Sequence, residues 1–348
     1  MKAAVLTDIK QMQIKEIPDP KIINDTDVLL KIEVVGICGS DVHYYETGRI
    51  GDQIAEFPFI VGHECAATVF DTAANVTRVK KGDRVVVDPA MPCFECDQCK
   101  AGRENTCRNL KFLGCPGQIN GCLSELFVMP QTSLFPVGDS LSLDQAALTE
   151  PATIGLYSIK QANLSTGANI AILGAGPIGL SCLLAARPLG ADKCYMTEKI
   201  DERCKIAKKA GADYVGNPLK QDIVADILTQ QPLGLDAVLE CAGQQETLDQ
   251  AVEILKPGGR LVLVGIPRED QISFVIDKIR RKELAIINIR RQNNCTQQCI
   301  DLIAEGKIKP DFMVTHRFKL EQTKDAFDLV ANYADGVVKA MIYVGAPL

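Results

Sequence analysis

Four cysteines fall within fifteen residues in the stretch CFECDQCKAGRENTC. They are Cys93, Cys96, Cys99 and Cys107, spaced C-x2-C-x2-C-x7-C. Such a cluster can form disulfides, serve as redox thiols or bind a metal. Short C-x2-C steps let the backbone wrap a tetrahedral zinc ion, and four thiolates close its coordination. The flanking Asp97, Lys100, Gly102, Arg103 and Asn105 are loop residues with no periodic apolar face. A metal would stand in for the missing core. The opening MKAAVLTDIKQMQIKEI lacks the long apolar stretch and cleavage site of a secretory signal and reads as strand, turn and strand. A cytoplasmic location is the expectation, and disulfides rarely persist there. The fourteen cysteines of the chain are therefore read as thiols. This lobe, about residues 91–110, is read as a structural zinc site.

A second constellation is looser. The chain has only three histidines. Two of them are His43 in GICGSDVHYY and His63 in FIVGHECAATV. Cys38 precedes the first, Glu64 follows the second, and Glu150 stands in LTEPATIG. Each of the first two motifs follows a β-rich run and has glycine where the chain turns. Singly, each side chain reads as structural. Together they offer sulfur, imidazole and carboxylate to one metal.

A third motif would hold a dinucleotide. The strand NIAIL runs into Gly174-x-Gly176-x-x-Gly179, with Pro177 and Ile178 inside the turn and a helix after it. This context, strand before and helix behind, gives the glycine pattern its meaning. A second strand, KCYMTE, ends at Glu198, 19 residues beyond Gly179. An acid there accepts hydrogen bonds from a ribose diol and repels a 2′-phosphate, which favours NAD over NADP. Lys199 blunts that preference, and Arg203 in the next helix is placed to cover the adenine. The rhythm continues through LDAVLECAG, QETLDQAVEILK and PGGRLVLVGIP. Cys241, Ala242, Val264 and Gly265 end two of these strands. They are expected to touch cofactor, with simple packing as the alternative.

The elements that must position these groups follow from pattern and size. A chain of 348 residues with 47% hydrophobic and 24% charged content has material for about two globular domains. Alternating strands and helices make residues 153–286 a doubly wound parallel sheet, an α/β nucleotide domain of Rossmann type. Residues 1–152 and 287–348 make a β-rich catalytic domain carrying both metal sites. The cleft between the domains is the expected active site. A net charge of −6 gives no reason to expect nucleic acid or an anionic membrane as partner. No apolar run reaches the ~20 residues of a membrane helix.

CGSDVHYYETGRIG, GHE, the four-cysteine lobe, KKGDRVVVDP, GAGPIG and VTHRF occur in one order and spacing. In these the chain resembles the zinc-dependent medium-chain dehydrogenases over essentially its full length. Within them it is similar to the polyol (sorbitol, xylitol) dehydrogenase group. The resemblance implies a GroES-like catalytic domain, two zinc ions per chain and NAD. It implies Cys38, His63 and Glu64 as ligands of a catalytic zinc, and Asp41 as the carboxylate orienting His63. It implies a proton relay through Ser40, the cofactor ribose and His43. Glu150 stands where alcohol dehydrogenases carry a second cysteine ligand. Zinc, Cys38 thiolate, neutral His63 and Glu64 carboxylate sum to zero charge. A directly bound Glu150 would make the sum −1 and fill the open position. Glu150 is therefore expected to hold zinc-bound water or substrate oxygen, with direct ligation as a resting-state alternative. The implied reaction is oxidation of a polyol secondary alcohol to a ketose, with Tyr44, Glu150 and Arg291 as candidate substrate contacts. Threonine dehydrogenase-like or sugar-acid chemistry is one alternative, and a non-enzymatic zinc-stabilised NAD-binding protein is another. The family's habit implies a homodimer or homotetramer.

Overall fold

The computed structural model describes residues 1–345 and Pro347. The chain separates into two compact units, Met1–Glu150 with Thr296–Leu348, and Pro151–Cys295.

In the first unit the strand Asp27–Gly36 lies at the centre of a seven-stranded sheet. Its burial is nearly continuous, so residues on both of its faces are covered. On one side it pairs antiparallel with Glu64–Thr72, which pairs with Arg84–Val87 and then Leu134–Pro136. On the other side it pairs with Lys339–Tyr343, which runs parallel to Val314–Lys319. Leu126–Pro130 pairs with its first half. The apolar faces of these strands form the core with Tyr45, Phe59, Leu113, Leu123 and Phe327. The expected N-terminal hairpin is present as Lys2–Asp8 and Gln11–Glu16.

Register places the chemistry. Gly36 lies opposite Glu64 on one side and Met341 on the other. A Cβ on Gly36 would lie 2.5 Å from Glu64 Oε2. Only glycine lets that carboxylate cross the strand. Ile37 continues the ladder, its N–H donating to Ala340 O at 3.0 Å. Cys38 then turns the chain into the helix Gly39–Thr47.

The second unit is a six-stranded sheet, parallel throughout. Its spatial order is Tyr214–Gly216, Ala191–Thr197, Ala168–Leu173, Leu235–Glu240, Leu255–Leu263, Ala285–Asn288. In chain order this is 3-2-1-4-5-6, the doubly wound order whose direction reverses between the first and fourth strands. Residues 287–295 group with this unit rather than with the catalytic one. The physical reason is the last strand, which pairs Asn288 with Leu263 and extends the ladder through Ile289 N–H to Leu263 O.

Candidate metal centres and nucleotide site

The lobe cysteines converge. Sγ–Sγ distances are 3.4 Å for Cys93–Cys107, 3.6 Å for Cys96–Cys99 and 3.8 Å for Cys96–Cys107. A tetrahedron with Zn–S of about 2.3 Å has edges of about 3.8 Å, so these thiols are spaced for one zinc ion. The lobe is built on two very short helices, Asp97–Lys100 and Glu104–Thr106. Backbone N–H groups of Cys99 and Arg108 lower the Cys96 pKa to about 6, whereas burial pushes Cys99 up to about 12. Four thiolates would need the charge of a bound cation to coexist here.

Cys38, His63 and Glu64 form the other group, their ligand atoms all within 4.8 Å of one another. Among the described residues these two are the groups of three or more that could hold a metal. Asp41 organises the set. One carboxylate oxygen accepts from Cys38 N–H at 3.1 Å, the other from Gly62 N–H at 3.0 Å, and His63 Nδ1 lies 3.3 Å away. Nε2 of His63 is then the ring nitrogen that could face a metal. Burial disfavours charge on His63, yet Asp41 and Cys38 hold its pKa well above the ordinary value. Binding a metal there would release that proton.

The peptide before His63 is clamped. Gly121 N–H donates to Ile60 O at 2.6 Å, and Cys122 N–H to Gly62 O at 3.0 Å. A Cβ on Gly121 would lie 2.2 Å from Val61 O, and one on Gly114 2.8 Å from Gly62 O. Phe112 packs against the imidazole at a centroid distance of 5.4 Å. None of these contacts is visible in local sequence pattern.

Glu64 has a partner the sequence did not suggest. Lys339 Nζ donates to its two oxygens at 2.8 and 2.6 Å and to Ile37 O at 3.0 Å. Both side chains are 1% exposed. Lys339 adds one positive charge to the zinc group, so the sum with Glu64 becomes +1. An ionised Glu150 returns it to zero. The charge argument against direct ligation by Glu150 therefore falls away once the lysine is counted, and the open position it would fill is the argument that remains.

Glu150 sits in the helix Leu143–Ala162 and is buried. Burial raises its pKa to about 8, with His63 pulling down and Glu64 pushing up. In metal-free protein it is protonated at neutral pH. The folded state then binds a proton more tightly than the unfolded chain between about 4.5 and about 8. Stability from this group is full below that window and lost as pH rises through it. Chelated wild-type protein should lose melting temperature between pH 5 and 8.5 relative to chelated Glu150→Gln. A constant gap between the two would contradict the assignment.

Ser40 and His43 are half-buried on the helix Gly39–Thr47, three residues apart and so on one face. Tyr44 is buried, its hydroxyl donating to Gln53 Oε1 at 3.1 Å. Arg291 lies in the second unit with φ +55°.

The nucleotide motif joins the strand Ala168–Leu173 to the helix Pro177–Ala186. Gly174 has φ +105°, and a Cβ on it would lie 3.2 Å from Ala242 N. A Cβ on Gly179 would lie 1.9 Å from Gly174 O, so the helix Pro177–Ala186 rests directly on the turn. Gly176 has open space, with Arg203 Nη1 at 3.7 Å as its near neighbour. That opening is where a pyrophosphate would approach the helix N-terminus. Arg203 is buried beside this turn. Glu198 Oε2 accepts from Ala175 N–H at 2.9 Å, and Oε1 from Lys199 and Ile200 N–H at 2.8 and 3.0 Å. The carboxylate is thereby fixed at the strand end. Lys199 turns to Gln244 Oε1 at 2.7 Å. Cys241 N–H pairs with Leu173 O, and Val264 and Gly265 N–H with Glu240 O, each at 2.9 Å.

Residues 24–139 match the alcohol dehydrogenase GroES-like domain, and residues 177–305 match the zinc-binding dehydrogenase domain. The chain is 38% identical over 344 residues to a sorbitol dehydrogenase of Bacillus subtilis, covering 99% of this chain and 97% of that one. It is 33% identical over 351 residues to sorbitol dehydrogenase 1 of Saccharomyces cerevisiae, covering 98% and 97%. Its fold is similar to that of an Escherichia coli oxidoreductase of unknown specificity, with TM-score 0.90, 31% identity and 99% of each chain covered. No helix among the described residues is long and apolar enough to cross a membrane.

Proposed function

The chain belongs to the zinc-dependent medium-chain dehydrogenases, and from that premise we propose that it oxidises a secondary alcohol of a polyol to a ketose with NAD as hydride acceptor. The observation that carries the reading is the convergence of Cys38, His63 and Glu64 beside a helix that presents Ser40 and His43 on one face. Cys38, His63 and Glu64 would hold the catalytic zinc, which when bound supplies the Lewis-acid polarisation that makes an alcohol acidic. Ser40 takes the hydroxyl proton, and His43, one turn on, carries it towards solvent. Asp41 keeps His63 in its ligating tautomer. Glu150 accepts a hydrogen bond from substrate or water in its ionised form. Tyr44 donates to Gln53, so a substrate hydroxyl would reach it as a donor. Arg291 as a substrate or cofactor contact rests on charge alone. Cys93, Cys96, Cys99 and Cys107 would hold a second zinc with no open position.

NADH production tests the reading directly. A panel of pentitols, hexitols, sugar acids and threonine should show highest kcat/KM with a polyol. Turnover of threonine above every polyol would replace this reading with the amino-alcohol one. No NADH from any of them would leave only the non-enzymatic reading. The cofactor preference has its own test. NAD should exceed NADP in kcat/KM, and Glu198→Ala should narrow the gap by about tenfold or more through removal of a repelled charge. A wild type that prefers NADP would contradict the placement of Glu198 beside the ribose.

We place the enzyme in the cytoplasm as a homodimer or homotetramer. Ala285–Asn288 is an outer strand of its sheet, with Ile286 and Ile287 half-buried. A second copy pairing there would cover it, and light scattering of the purified protein would count the chains.

A further inference from the structure

Glu240 ends the fourth strand of the parallel sheet, at the point where the strand order reverses. It is 2% exposed. Its Oε1 accepts from Ala242 N–H and Gly243 N–H at 2.8 Å and from Thr247 Oγ1 at 2.7 Å. Its backbone carbonyl accepts from Val264 and Gly265 N–H at 2.9 Å. One residue thus gathers the turn after its own strand, the first turn of the helix Gln245–Ile254 and the turn after the fifth strand. The packing leaves no slack. A Cβ on Gly265 would lie 2.9 Å from Glu240 Oε2 and 2.5 Å from Gly243 N, and one on Gly243 2.6 Å from Ile266 O. The three donors meet on one oxygen, and a charged carboxylate accepts from them more strongly than an amide carbonyl in the same place would.

The strand order says which part of a dinucleotide these turns would meet. The glycine turn after the first strand suits the pyrophosphate. Glu198, on the second strand, lies to one side of it and suits the adenosine ribose. The other half of the molecule must then extend over the fourth and fifth strand ends. Resting on the NAD reading above, we infer that Glu240 is a positioning residue for the nicotinamide half. It holds the backbone of 241–243 and 264–265 ready to receive that half and does not touch the cofactor itself.

Wild-type and Glu240→Gln proteins, zinc-loaded, are titrated with NADH and with ADP-ribose, which lacks nicotinamide. Glutamine keeps one acceptor oxygen for these donors but removes the charge that strengthens all three bonds, and losing that charge assistance is a loss of about tenfold or more. NADH affinity should fall by that factor and ADP-ribose affinity by less than about twofold. Equal losses, or none, would overturn the inference, since a purely structural cap has no reason to distinguish the two ligands. Should Glu240→Gln fail to fold, Thr247→Val removes one donor from the carboxylate and Thr247→Ser restores it. NADH-selective weakening in valine, recovered in serine, supports the role, and its absence overturns it. A wild type that binds neither ligand overturns the NAD reading itself, and this inference with it.

Discussion

Cys38→Ser should abolish measurable turnover with the melting temperature little changed, whereas Cys96→Ser should lower stability before it lowers the chemistry. The two cysteines differ in what holds the chain around them. Cys38 follows a central strand whose ladder continues through Ile37 to Ala340, and the next helix is anchored by Asp41. Serine there leaves that framework intact and removes a thiolate ligand. The lobe has no such framework. Its helices are four and three residues long, and their buried residues are Cys99 and Asn105. Zinc binding to sites of this closed kind is itself folding free energy, ~10–16 kcal/mol in small peptides. Loss of one thiolate should therefore loosen the lobe by several-fold more than it perturbs the catalytic group. Zinc content should fall from about two to about one equivalent in each variant. Thermal unfolding, limited proteolysis and NADH production on one preparation separate them. Equal losses of stability would defeat the division into a structural and a catalytic zinc.

The candidate sites legible in the sequence are those whose parts are contiguous or sit in strong local context. The lobe ligands fit in fifteen residues. The glycine turn announces its strand and helix, and Glu198 directly follows the strand Ala191–Thr197. What stayed hidden depends on strand register. Lys339 lies 275 residues from Glu64 and meets it only because both flank the strand Asp27–Gly36. Gly36 has a purpose only once that crossing is known. Gly114 and Gly121 look like ordinary loop glycines until their backbones are seen against residues 61 and 62. The boundary near residue 287 was misplaced for a similar reason, since a four-residue outer strand gives little periodic signal. Glu240 carries no mark of its own in LDAVLECAG, and its side-chain bonds reach forward into turns that pattern does not resolve.

Lys339→Met should separate metal-free from zinc-loaded protein more sharply than any other single change in the first unit. Burial disfavours the lysine charge, yet Glu64 and Cys38 hold its pKa above the usual lysine value. The pair is thus ionic, and both members are 1% exposed. Methionine fills most of the volume and leaves Glu64 as an unpaired buried anion. Removing one member of such a pair costs ~3–5 kcal/mol. In chelated protein nothing offsets that cost, so the melting temperature should fall steeply. In loaded protein the cation would take over as the counter-charge to Glu64, and the fall should be small. The difference in melting temperature between the two states should therefore widen relative to wild type. Zinc should also be held more tightly, because Glu64 no longer divides itself between ammonium and metal. Lys339→Arg keeps the charge and should behave close to wild type in both states. Melting curves with and without zinc, together with competition against a chromogenic chelator, measure both quantities. Equal destabilisation in the two states would mean that Lys339 supports only the strand, and that Glu64 does not face the metal at all.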